Sequence, residues 1–193
     1  MERVDSLLQG GLPAGKTSIV YGPLGSGKTL LALAAVKTFT ARGGVVYYID
    51  TELKTARENV APAVYVEAAD IGRLLDTLLD ILKKVRYVSP VLAVVDSISA
   101  IMHSLTINHP DYAREKMRTL AHIARQLNQQ MVTLLVISWH LGGYHGRYLN
   151  PALVLRTGKS QNGFRLVVEH GEDMLTPVEE TIQIEEVLRA ALT

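Results

Sequence analysis

Residues 17–29 read TSIVYGPLGSGKT, a β-branched run that ends at a glycine and passes at once into a glycine-spaced turn closed by a lysine and a threonine. Gly22, Pro23, Leu24, Gly25, Ser26, Gly27, Lys28 and Thr29 fit the pattern G-x-x-x-x-G-K-[ST], with a strand before it and an Ala/Leu-rich helix that opens at Lys28 and runs on through Leu30. That context is what a phosphate-cradling loop requires. Gly25 and Gly27 let the backbone curl with its N–H groups inward, and the helix adds the positive end of its dipole. Lys28 would reach the outer phosphates of a nucleoside triphosphate, and the Thr29 hydroxyl would take a magnesium coordination position. The pattern therefore points to ATP with Mg2+ as cofactors and to an α/β fold.

The chain around this stretch behaves as one unit. With 193 residues and 48% hydrophobic content it can bury a sizeable core. No linker-like stretch, repeat or low-complexity segment divides it, so a single domain over 1–193 is expected. There are no cysteines, which excludes disulfides and thiolate chemistry. The net charge of +1 means that any nucleic-acid binding must come from a local patch. The histidines lack the helical i, i+4 pairing of a zinc site. No apolar run approaches membrane-spanning length and the start has no signal-peptide order, which points to a cytoplasmic protein with no membrane partner.

Outward from the loop, strand-length apolar runs alternate with segments of helical period. Strands are expected at 17–22, 44–50, 91–96 and 133–139, and helices at 28–43, 71–85 and 112–129, with Ile71, Leu74, Leu75, Leu78, Leu79, Leu82 and Val85 on one buried face of the second. Strands at 152–158, 164–171 and 181–186 then follow without helices. The expected architecture is a mostly parallel central sheet with helices on both faces and a C-terminal antiparallel extension.

Two acidic positions complete the chemistry. VLAVVD ends in Asp96, which at a strand's carboxyl end would face the phosphate loop and hold magnesium; an aspartate there also caps helices, and the two roles can coexist. YYIDTE places Asp50 and Glu52 at the end of the second strand, where Glu52 would orient the attacking water, the alternative being a solvated loop acid. Glu52 and Lys28 are the catalytic candidates.

The order of MERVDSLLQGGLPAGKTSIVYGPLGSGKT, VVYYIDTE, VLAVVDSISAI and TLLVIS resembles the ATPase core of the RecA/RadA recombinase superfamily, and archaeal recombinase paralogues of the RadB and RadC kind in particular. The resemblance covers roughly residues 1–170. It implies an ATPase in recombination and DNA repair, with single-stranded DNA and a recombinase, or further copies of the chain, as partners. It gives Lys28, Thr29, Asp96 and Glu52 the roles argued above and assigns 103–113 and 141–151 to DNA contact. The full recombinases carry an N-terminal helical domain, whereas here the core is expected alone. Trp139 and His140 stand where the family has Asn-Gln, so His140 would sense the γ phosphate, unless it is simply a satisfied strand-end histidine. LKTAREN replaces an arginine-rich turn that lies against adenine, leaving Arg57 as the adenine contact. Other readings are a nucleotide-regulated accessory protein or a KaiC-like signalling ATPase; the DTE replaces the paired glutamates usual in the latter.

Two surface stretches carry positive charge. In VISWHLGGYHGRYLNP (136–151), Tyr144 and Tyr148 would stack on bases while His145 and Arg147 meet phosphates; an ordinary surface loop is the alternative. Trp139 is expected to be packed rather than functional. Arg114, Arg118, His122 and Arg125 form one helix stripe, which suits a phosphate backbone, an acidic partner or plain solvent.

Overall fold

The computed structural model describes residues 11–85, 90–141, 144–161, 163–170 and 178–183. The expected leader segment at 1–10 and the side chains of Tyr144 and His145 lie outside the described residues.

The elements follow in the order β1 (Thr17–Tyr21), α1 (Lys28–Ala41), β2 (Val45–Asp50), α2 (Arg57–Val60), β3 (Val64–Glu67), α3 (Ile71–Lys84) and β4 (Val91–Asp96). Then come α4 (Ile98–Asn108), α5 (Pro110–Gln129), β5 (Val132–Ser138), α6 (Tyr144–Leu149), β6 (Leu153–Ser160), β7 (Gly163–His170) and β8 (Val178–Gln183). The strands form one sheet in the order β3-β2-β4-β5-β1-β6-β7-β8. Pairing is parallel from β3 through β6 and antiparallel for β6–β7 and β7–β8, as the lack of intervening helices suggests.

The continuous apolar strands are explained by two separate cores. In β4, Val91, Ala93 and Val95 point into the core beneath α3, α4 and α5, while Leu92 and Val94 point to the opposite one beneath α1. The α3 stripe packs in part as its spacing predicts: Ile71, Leu74, Leu75, Leu78 and Val85 are buried, but Leu82 is half-buried and Leu79 exposed while Ile81 is buried in its stead, and Asp70 caps the N-terminus by accepting from the Arg73 N–H at 2.9 Å. In α5, Met117, Leu120, Ala121, Ala124 and Leu127 are all buried. No helix of the described residues is long and apolar enough to cross a membrane.

One strand was not foreseen, and two segments assigned to DNA contact contain helix. VYVE at 64–67 is a strand on the sheet edge, paired to β2; at four residues, with Val64 exposed, it lacks the apolar alternation that marks a strand. The 103–113 segment is mostly helical, divided between α4 and α5 and broken at His109 before Pro110, rather than an open loop. The 141–151 stretch contains α6, so its aromatic and basic residues are not strung along free backbone.

Candidate functional site

β1 lies between β5 and β6, so the carboxyl ends of β4, β5 and β1 line up with that of β5 in the middle. The chain leaves all three at the same edge of the sheet, which is where open α/β sheets place their ligands. A cleft of about 270 Å3 opens there, lined by residues 24–30 of the loop, by Glu52, Asp96 and Ser97, and by Ile137 and Trp139.

The loop is held in a left-handed curl by Gly25 and Gly27, with φ of 73° and 86°. β6 and β7 press on it from below. Ser26 is fully buried; its hydroxyl donates to the Pro23 carbonyl at 2.7 Å and meets the Thr157 hydroxyl at 2.6 Å. A Cβ on Gly27 would sit 2.6 Å from the Phe164 ring. Lys28, only 7% exposed, donates from Nζ to the Gly22 and Pro23 carbonyls at 2.8 Å each. Burial pulls its pKa down while Asp96 and Glu52 oppose the shift, so an anion above the loop would improve the ammonium's surroundings.

Asp96 and Thr29 meet directly: the Thr29 hydroxyl donates to Asp96 Oδ2 at 2.9 Å, and so does the Tyr48 hydroxyl at 2.6 Å. Burial pushes the Asp96 carboxyl above its ordinary range, against the lowering effect of these two donors. A buried carboxylate next to a threonine hydroxyl fits magnesium, which takes few protein oxygens and completes its shell with water and phosphate. No cluster of three or more His, Cys, Asp or Glu residues that could hold a metal ion exists among the described residues. Tyr48 is itself stacked on Tyr65, with centroids 6.5 Å apart, which fixes the phenol's direction.

Glu52 reaches the cleft because Asp50 does not. Asp50 is buried and accepts from the N–H groups of Glu52, Leu53 and Thr55 at 2.8–2.9 Å and from the Tyr65 hydroxyl at 3.0 Å, which folds the DTE segment into a tight turn. The Thr51 N–H donates to the Asp96 carbonyl at 2.8 Å and the Thr51 hydroxyl to the Ser97 carbonyl at 2.6 Å, tying that turn to the end of β4. The two acids thus part company beyond the strand, one inward and one into the cleft. Glu52 Oε1 accepts from the Ser97 hydroxyl at 2.8 Å and the Trp139 indole N–H at 3.1 Å, and Oε2 from Lys54 at 2.7 Å. Burial pushes this carboxyl up, but the three donors outweigh it and hold its pKa below the usual range.

Residues 24–30, Glu52 and Asp96 therefore converge as the spacing suggested. Other candidates stand elsewhere. His140 is exposed and is not among the residues lining the cleft; Trp139 is, against the expectation that it merely packs. Arg57 pairs with Glu67 at 3.4 Å and lies 5.2 Å above the Tyr65 ring, at the β3 edge rather than in the cleft. Arg147 is exposed, but Tyr148 is half-buried against the core. On α5 the stripe faces outward: Arg114 pairs with Asp111, and Arg118, His122 and Arg125 are exposed. Tyr48, Ser97 and Trp139 carried no sequence signal of their own, since an apolar strand position, a helix-start serine and a strand-end indole are all common.

The RecA N-terminal domain model matches residues 4–137, which include every residue of this cleft except Trp139. RecA of Arthrospira platensis is 34% identical over 105 residues, covering 51% of this chain and 28% of the relative. RecA of Synechocystis sp. is 37% identical over 109 residues, covering 51% and 29%. RecA of Mycoplasma mobile is 30% identical over 142 residues, covering 66% and 42%, so the chain spans less than half the length of these relatives. With the loop and both acids within the matched segment, the chain belongs to the RecA N-terminal domain family.

Proposed function

We propose that the chain is a RecA-type ATPase core that binds ATP with Mg2+, hydrolyses it slowly, and acts on or beside single-stranded DNA in recombination and repair. The convergence of Lys28, the Thr29–Asp96 pair and Glu52 on one cleft carries this reading. Lys28 would hold the outer phosphates, and Thr29 and Asp96 the magnesium ion, which when bound neutralises phosphate charge. Glu52, kept ionised by its donors, would accept a proton from the attacking water. The paralogue reading rests on sequence features, since the relatives named above are RecA proteins of bacteria.

The deciding experiment is ATP hydrolysis measured with and without single-stranded DNA. Stimulation by DNA supports the enzyme; nucleotide binding with no turnover in either condition would replace it with the accessory-protein reading. One observation favours that second reading: Glu52 is already engaged by three donors.

Two substitutions test parts of the assignment. Removing the phenol with Tyr48→Phe leaves Asp96 with one donor fewer and less firmly aimed; a hydrogen bond to a charged group contributes about 1.5–3 kcal/mol, so roughly tenfold more Mg2+ should be needed for half-maximal turnover. A magnesium titration of both proteins checks it. For DNA, contact through the segment after β5 is supported by its composition and by exposed Arg147. Tyr144→Ala with Arg147→Ala should weaken single-strand binding by about tenfold or more while ATP affinity holds, read by fluorescence anisotropy. Unchanged DNA affinity would remove that surface from the assignment.

A further inference from the structure

Trp139 is the sole tryptophan of the chain, and it is held at both ends. Its backbone N–H donates to the Ser99 hydroxyl on α4 at 2.9 Å, and that hydroxyl meets the Ser138 hydroxyl at 2.9 Å. Its ring leans on His103 of α4, with centroids 5.8 Å apart and planes at 49°. The indole N–H then spans 87 positions of sequence to Glu52 Oε1. A tryptophan that served only to fill space would not be 38% exposed in the mouth of a cleft with its one polar atom on a carboxylate.

The acceptor count at Glu52 shows what this contact does. An ionised carboxylate offers about four lone-pair sites, two on each oxygen. Ser97 and Trp139 take both sites on Oε1, and Lys54 takes one on Oε2. What is left is a single acceptor site, on Oε2. Without the indole a second site opens on Oε1, and the carboxylate can turn or meet water in two ways.

Resting on the ATPase reading above, we propose that Trp139 is a positioning residue for hydrolysis: its indole N–H fixes the Glu52 carboxylate so that one oxygen alone is presented to the attacking water. Its anchors on α4 and β5 make the aim of Glu52 depend on how those two elements sit together. The indole N–H donates to Glu52 and not to Lys28, Thr29 or Asp96, so its effect is expected on turnover rather than on binding.

Trp139→Phe keeps a ring against His103 and removes only the donor. The expected result is a kcat lowered about tenfold, with KM for ATP and the thermal midpoint close to those of the parent protein. Trp139→Gln, which restores a donor of shorter reach, should recover part of the loss. A Trp139→Phe protein with parental kcat, a raised kcat, or a loss that appears equally in nucleotide binding would overturn the proposal. Glu52→Gln separates the two levels: if it hydrolyses ATP at the parental rate, the assignment of Glu52 fails, whatever Trp139 does. A readout independent of turnover is the emission of Trp139 itself, which should shift in Glu52→Gln because the indole N–H loses its charged acceptor. An unshifted spectrum would show that the contact does not form in solution.

Discussion

Glu52→Gln is expected to lower ATP turnover by about two to four orders of magnitude while leaving nucleotide affinity within about twofold, the range that removing a general base commonly covers. The substitution is nearly isosteric, so the turn built on Asp50 and the tie from Thr51 to β4 stay in place. One amide oxygen can still accept from Ser97 or Trp139, but the amide nitrogen cannot accept a proton from water and would face Lys54 or the cleft with donors of its own. Lys28, Thr29 and Asp96 are untouched, which is why binding should survive. Single-turnover hydrolysis beside equilibrium binding of a fluorescent nucleotide gives the two numbers separately. A variant that hydrolyses at the parental rate would move the base to another group.

Gly22→Ala should have the largest effect on the fold itself. Gly22 has φ of 154°, a conformation that side-chain-bearing residues rarely adopt, and a Cβ there would be driven into the Thr157 carbonyl and hydroxyl. The obstacle is backbone, held by the pairing of β1 with β6 in which Tyr21 faces Arg156, so no rotamer change relieves it. Backbone strain and overpacking of this kind each cost about 1–3 kcal/mol. At roughly 2–4 °C per kcal/mol for a chain of this size, a total of about 3 kcal/mol lowers the thermal midpoint by roughly 6–12 °C. Nucleotide binding should fall with it, because Gly22 supplies a carbonyl that holds Lys28. Gly43→Ala is the matched control: φ is 81° but nothing lies within 4 Å of the added carbon, so only the backbone term of about 1 kcal/mol applies. Equal midpoints for the two variants would mean that β6 does not support the loop as described.

That the glycine-spaced loop, Asp96 and Glu52 meet at one edge of the sheet was legible in the sequence because local pattern places each of them. A glycine-spaced turn between a strand and a helix, and an acid at the end of an apolar run, imply their own geometry from a handful of consecutive residues. The two-sided burial of the sheet was legible for the same reason: strands with no polar face leave nothing to turn toward water. Reading 141–151 as open loop failed because its glycines and polar rings mask a short helix, and the place of Trp139 at the cleft was hidden for a different reason. Alternation along β5 says which face a residue takes but not what stands beside it.

What stands beside it follows from strand order. Apolar periodicity and the loop motif specify which segments become strands and where the glycine-spaced turn falls, since each depends on neighbours a few residues away. That β5 lies between β4 and β1 is a matter of how the sheet is assembled, and this alone brings the end of β5 into the cleft, with Trp139 against Glu52. The same assembly brings Thr157 and Phe164 beneath the loop and aims the Tyr48 hydroxyl at Asp96. Contacts between residues tens of positions apart leave no periodic trace in a single chain, so they become visible when the strands are paired.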